Sequence, residues 1–203
     1  MLDEAKATVE ELRKCDPKSP IAHAQYALVA SQNENPSDAV DALQTALELT
    51  DTRIPRRVFE AIGAVATAFM HLGNVVAVQA HLWLYQRIAP PGERQGIDAL
   101  LDFNHYSGMP LLLRDQLNLH GLPEGHPVQN EMREIEALSL RGRWRAAAAK
   151  CDELLPDHLD EPIFFYNRAL LSGFLGDEKN LVAGLRLYAR QAIPLDDAIE
   201  AEA

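Results

Sequence analysis

The chain has 203 residues, of which 47% are hydrophobic and 24% charged, the balance of a polypeptide that can bury a core rather than one that stays disordered. Nineteen Lys and Arg oppose thirty Asp and Glu, a formal net charge of −11, which argues against nucleic acid or an anionic membrane surface as partner. Ala and Leu contribute 29 residues each against 24 for Val, Ile and Thr together, and unbranched side chains lose little rotamer freedom in a helix. The composition therefore points to an all-α protein.

The N-terminal stretch MLDEAKATVEELRKC is acidic and amphipathic, unlike a secretory leader, and the expected location is cytoplasmic. Cys15 and Cys151 lie too far apart in the sequence to suggest a small disulfide-stapled scaffold, so both are read as reduced thiols. Proline and turn residues then divide the chain into helices at about 2–15, 20–32, 37–50, 56–71, 75–89, 128–141, 144–155, 162–175 and 178–192. Pro17, Pro20, Pro36, Pro55, Pro90, Pro91, Pro127, Pro156, Pro162 and Pro194 fall between these segments or at their edges, where the missing N–H costs nothing.

Residues 61–86 carry no Asp, Glu, Lys or Arg. His71, Gly73 and Asn74 break the run at its centre, so each half is too short to span a bilayer and no membrane insertion is expected. An exposed hairpin keeps a charged face toward water. This one has none, and the covering element is expected to be the 92–127 segment or a second copy of the chain.

An internal period runs through these helices. Ala5, Val9 and Leu12 recur thirty-four residues later as Ala39, Leu43 and Ala46, and Gly142 recurs as Gly176. Further matching segments are HLGNVVAVQAHLWLYQRIAP (Gly73, Val78, Leu82, Tyr85, Pro90), LRGRWRAAAAKCDELL (Gly142, Trp144, Ala147, Cys151, Leu154) and FYNRALLSGFLGDEKNLVAGLRLYARQAIP (Phe165, Ala169, Gly176, Leu185, Tyr188, Pro194). Together these resemble the tetratricopeptide repeat (TPR), a helix–turn–helix unit of 34 residues. Departures are Val78 and Leu181 at small-residue places, and an interval of 39 between Ala39 and Val78.

The resemblance implies a right-handed TPR-like solenoid, one domain over 1–203, with regular hairpins at about 1–91 and 128–195. The segment 92–127 lacks the small–large–small pattern, and its helix-like stretches 97–106 and 111–120 read either as a degenerate repeat, as an insertion over the solenoid, or as a binding loop. The chain opens on what reads as a second helix and ends in an acidic tail (Asp196, Asp197, Glu200, Glu202), as a piece of a longer protein would, the alternative being an unusual cap over Val9 and Leu12.

In the resembling family the first helices of the hairpins line a concave groove that binds proteins or peptides. Mapped here, Ala24, Leu28, Gly63, Thr67, His71, Met132, Glu136, Tyr166, Asn167 and Leu170 would face it. Only Asn167 matches the family's clamp for a C-terminal carboxylate, so an apolar or helical peptide is the better fit. The expected anchors are Met132, Tyr166 and Leu170, with Glu136 as a charged selector.

Catalytic signals are sparse. The chain has no phosphate-binding glycine loop, no G-x-S-x-G and no H-E-x-x-H. His120 and His126, with His105 or Glu124, could in principle hold zinc, but solvated loop histidines are the plainer reading. Cys151 occupies a packing position rather than that of a nucleophile, and Ser107 has no sequence-local base. The expectation is a non-enzymatic scaffold without a cofactor or metal that binds a protein or peptide. The alternatives are an assembly or homodimerisation module using residues 61–86 and, last, a histidine-based metal enzyme.

Overall fold

The computed structural model describes residues 2–33, 35–51, 53–90, 121–122 and 124–192. Nine α-helices run through them: α1 (Leu2–Cys15), α2 (Pro20–Gln32), α3 (Pro36–Glu48), α4 (Arg56–Leu72), α5 (Val75–Ile88), α6 (Gln129–Leu140), α7 (Trp144–Leu154), α8 (Pro162–Phe174) and α9 (Glu178–Ala192). Among the described residues there is no strand. The expected segments match these helices to within two residues at either end. The stretches 97–106 and 111–120, with Ser107, His105 and His120, lie outside the described residues, as does the tail 193–203.

Local chemistry accounts for the helix starts and stops. Pro20, Pro36 and Pro162 each occupy the first helical position, where no N–H is needed and the fixed φ is already helical. Side chains cap the starts of α2, α3 and α5: Ser19 Oγ accepts from the Ala22 N–H, Asn35 Oδ1 from Asp38 and Asn74 Oδ1 from Ala77. Gly73 stops α4 in the left-handed conformation at φ 72°.

The helices pair in sequence as α2 with α3, α4 with α5, α6 with α7 and α8 with α9, while α4 also lies against α2 and α1 against α2. Small residues let the first two hairpins approach closely: Ala24, Ala27, Ala39, Ala46 and Ala61 are fully buried around Leu43, Ile62 and Val65. Gln44 and Asn167 are also sealed in the interior.

The C-terminal hairpins do not simply continue the row. Helix α7 docks on α3, and α8 packs on α5. Gln44 Nε2 donates to the Gly142 carbonyl at 3.0 Å, and the Arg145 N–H donates back to Gln44 Oε1 at 3.0 Å. The Arg145 guanidinium grips Glu48 through Nε (3.1 Å) and Nη2 (2.6 Å), and Arg143 donates to the carbonyls of Leu47 and Thr50 at the end of α3. That cation answers the partial negative charge of a helix C-terminus.

Helices α7 and α8 of the same chain lie against the uncharged 61–86 hairpin; most of the 92–127 segment that the sequence suggested as its cover lies outside the described residues. His81 is fully buried, its ring edge-on to Trp144 at 4.8 Å, and Trp144 in turn meets Phe174 at 5.4 Å. Trp144 is itself sealed and donates its indole N–H to the Ser139 carbonyl at 3.1 Å. Trp83 is half-buried, with the Arg87 guanidinium 5.3 Å from its ring centre.

Two glycines make this contact possible. Gly142 (φ 74°) brings its backbone so near Leu84 that an added Cβ would lie 2.3 Å from Leu84 Cδ2. At Gly176 (φ 83°) an added Cβ would lie 2.4 Å from Phe69 Cζ. Both positions need the left-handed backbone and the missing side chain at once.

Candidate functional site

The residues expected to line a groove fall mainly on α4, α6 and α8, and two of the three expected anchors, Met132 and Leu170, are turned inward, as is Asn167. Met132 is 3% exposed, Leu170 6% and Asn167 0%. These three form part of the interior and present almost no surface to a partner. Ala24 is likewise sealed and Leu28 half-buried. Thr67, His71 and Glu136 are exposed, and Thr67 Oγ1 donates to the carbonyl of Gly63 one turn back. Gly63 lies 3.7 Å, from its ideal Cβ position, to the Tyr85 ring. Tyr166 is half-buried with its ring 5.2 Å from that of Tyr188, and the loss of water around it raises the phenol pKa.

A different surface stands open where the two halves meet. A cleft of about 890 Å³ lies between the end of α3, the end of α5 and the last turn of α6. The half-buried Ile54, Ile88 and Leu140 give it apolar surface over the nearly sealed Leu47, with Thr50 as a polar neighbour and Ala137 exposed on the α6 side. Arg87, Arg141 and Arg143 also line it, with Asp51 as the carboxylate among its described lining residues. A second hollow of about 800 Å³ adjoins it, sharing Ile54 and Ile88 and adding Arg53, Arg56 and Phe59.

These arginines are not equivalent. Arg143 is spent on the carbonyls of Leu47 and Thr50, and Arg56 pairs with Glu60 at 3.1 Å. Arg53, Arg87 and Arg141 are exposed and, among the described residues, have no ion-pair partner. Arg87 and Arg141 sit at the C-terminal ends of α5 and α6, where a cation is favoured by the helix dipole. Their convergence on one apolar cleft is a property of the tertiary fold. The sequence places Arg53 and Arg141 far apart in the chain, so no local motif announces it; the visible signal is only that basic residues gather at 53–57 and 141–145.

Titratable clusters elsewhere are modest. His126 Nε2 and His158 Nδ1 both donate to Glu161 Oε1, at 3.0 and 3.1 Å, tying the start of α6 to the start of α8. The His158 ring stacks on Phe164 at 5.0 Å. Among the described residues no group of three or more His, Cys, Asp or Glu could hold a metal ion. Burial pushes the Cys151 thiol up to about 12, so it stays protonated at neutral pH.

Compared with known proteins, the chain matches no family model, no curated protein and no solved structure. Among the described residues no helix is long and apolar enough to cross a membrane.

Proposed function

We propose that the chain is a non-enzymatic interaction module, a scaffold of TPR-like helical hairpins that binds a segment of another protein. The repeat reading draws support from backbone geometry as well as sequence: Gly142 and Gly176, one period apart, are both left-handed turn glycines. Gly73 is a third, and it precedes Gly142 by close to two such periods. A right-handed solenoid would accommodate this spacing, with the C-terminal hairpins folded back onto the first ones.

The observation that carries the binding reading is the open cleft beside Ala137, part apolar and part lined by arginines, at the seam of the two halves. It takes the place of a groove two of whose expected anchors, Met132 and Leu170, have side chains in the interior. The assembly alternative would use what α7 and α8 leave open on the 61–86 hairpin, where Thr67, His71 and Leu72 are exposed.

Two blocking substitutions separate cleft from groove. Ala137→Arg fills the cleft from an exposed helix position, and Thr67→Arg obstructs the expected groove. With each variant as bait in lysate of the source cells, quantified by mass spectrometry, Ala137→Arg loses the partner that the intact chain captures and Thr67→Arg keeps it. The opposite pattern would return the binding site to the groove, and capture unchanged by both would place it on neither surface.

A further inference from the structure

We infer that the cleft beside Ala137 takes an acidic segment of a partner protein that also carries large apolar side chains. The inference rests on the reading of the chain as an interaction module and specifies the chemistry of what it binds.

The walls decide half of it. Ile54, Ile88 and Leu140 offer apolar contact beside the polar Thr50 and Asp51, so an occupant gains by placing one or two Leu-, Ile- or Phe-like side chains against them. The rim decides the other half. Arg53, Arg87 and Arg141 stand exposed with no carboxylate of the described residues bound to them, in a chain whose net charge is −11. Guanidinium groups bind carboxylates through paired N–H donors, and an acidic segment supplies those carboxylates.

Charge complementarity here is local. At physiological salt, charges more than about 8 Å apart on the surface are largely screened, so a short acidic segment senses the arginine rim more than the distant acidic surface. A long polyanion such as nucleic acid would lie across that acidic surface as well and would leave the apolar walls uncovered. A basic segment would face the arginines directly. The occupant favoured by both walls and rim is therefore an acidic amphipathic peptide, and a helical one can present leucines on one side and glutamates on its flanks.

The test is a fluorescence-anisotropy titration with three labelled synthetic peptides. One has leucines at helical spacing with glutamates between them, the second replaces every glutamate by lysine, and the third replaces every leucine by serine. The proteins are the intact full chain, Arg87→Gln/Arg141→Gln and Ala137→Arg, each checked for unchanged helicity by circular dichroism. The glutamate–leucine peptide binds the intact chain best. The double glutamine variant weakens it by roughly tenfold at low salt, an effect that fades as salt rises. Ala137→Arg abolishes binding although it adds a positive charge, because it obstructs the walls.

The inference is overturned if the lysine peptide binds as well, if the double variant binds unchanged, or if a single-stranded oligonucleotide displaces the peptide. It is also overturned if the chain self-associates through a contact that Ala137→Arg breaks, since the occupant is then a second copy. These outcomes leave the interaction-module reading standing as long as Ala137→Arg still loses the captured partner in lysate. If that capture is unaffected, the failure belongs to the cleft as binding site and not to the partner's charge.

Discussion

At the scale of single residues, His81 links packing to pH. It is fully buried, its Nδ1–H donates to the Ala77 carbonyl at 2.8 Å, and Nε2 has no hydrogen-bond partner among the described residues. Burial lowers its pKa from 6.5 to about 4, overriding the opposite pull of the Ala77 carbonyl. Between those values the unfolded chain binds a proton that the folded chain refuses, so stability is full above pH 6.5 and falls as the pH drops toward 4. Urea unfolding at pH 7 and at pH 5 should differ by about 2 kcal/mol from this residue alone, and His81→Phe should lose that increment. An unchanged pH slope in His81→Phe would mean that His81 is solvated in the folded state. The sequence could not have singled out this histidine, because its isolation depends on Trp144, more than sixty residues away. The same limit applies to Met132, Asn167 and Leu170: a repeat register assigns positions along a helix, but the packing of α6 and α8 decides how much of each side chain reaches water.

At the scale of helices and turns, much was legible. Prolines at helix edges and the turn glycines are local devices that mark boundaries in the sequence; the serine and asparagine caps are as local, but only the structure singled them out. The docking of α7 onto α3 is different, since Gln44 and Arg145 lie 101 residues apart and nothing near either one names the other. This contact makes contrasting glycine predictions. Gly142→Ala should cost roughly 2–4 kcal/mol, combining left-handed strain with a Cβ driven into the fully buried Leu84. Gly73→Ala has the same backbone penalty but nothing within 4 Å, and should cost only about 1–2 kcal/mol. Equal costs in thermal or urea unfolding would show that Gly142 is not pressed against α5. Gln44→Leu removes the partner of two groups at the seam, the Gly142 carbonyl and the Arg145 N–H, and should destabilise by roughly 2–3 kcal/mol. A cost near zero would mean that water or a neighbour takes over both bonds.

At the scale of the whole molecule, the cleft and the cooperativity have one origin. Helices α3, α5 and α6 end close together because α7 and α8 fold back over α3 and α5, and that convergence brings Arg87 and Arg141 to the same opening. Trp83 and Trp144 belong to opposite halves of the chain, and Trp144 sits among residues of both. Tryptophan fluorescence and far-ultraviolet circular dichroism should therefore trace one coincident unfolding transition, whereas two separated transitions would mean that the halves fold independently. The most direct measurement of the functional account is photocrosslinking from two positions, with a benzophenone amino acid placed at Ala137 in the cleft or at Thr67 in the expected groove. The account predicts partner adducts from Ala137, mapping to an acidic, apolar segment, and none from Thr67. Adducts from Thr67 alone would contradict it and place the partner against the first helices of the hairpins.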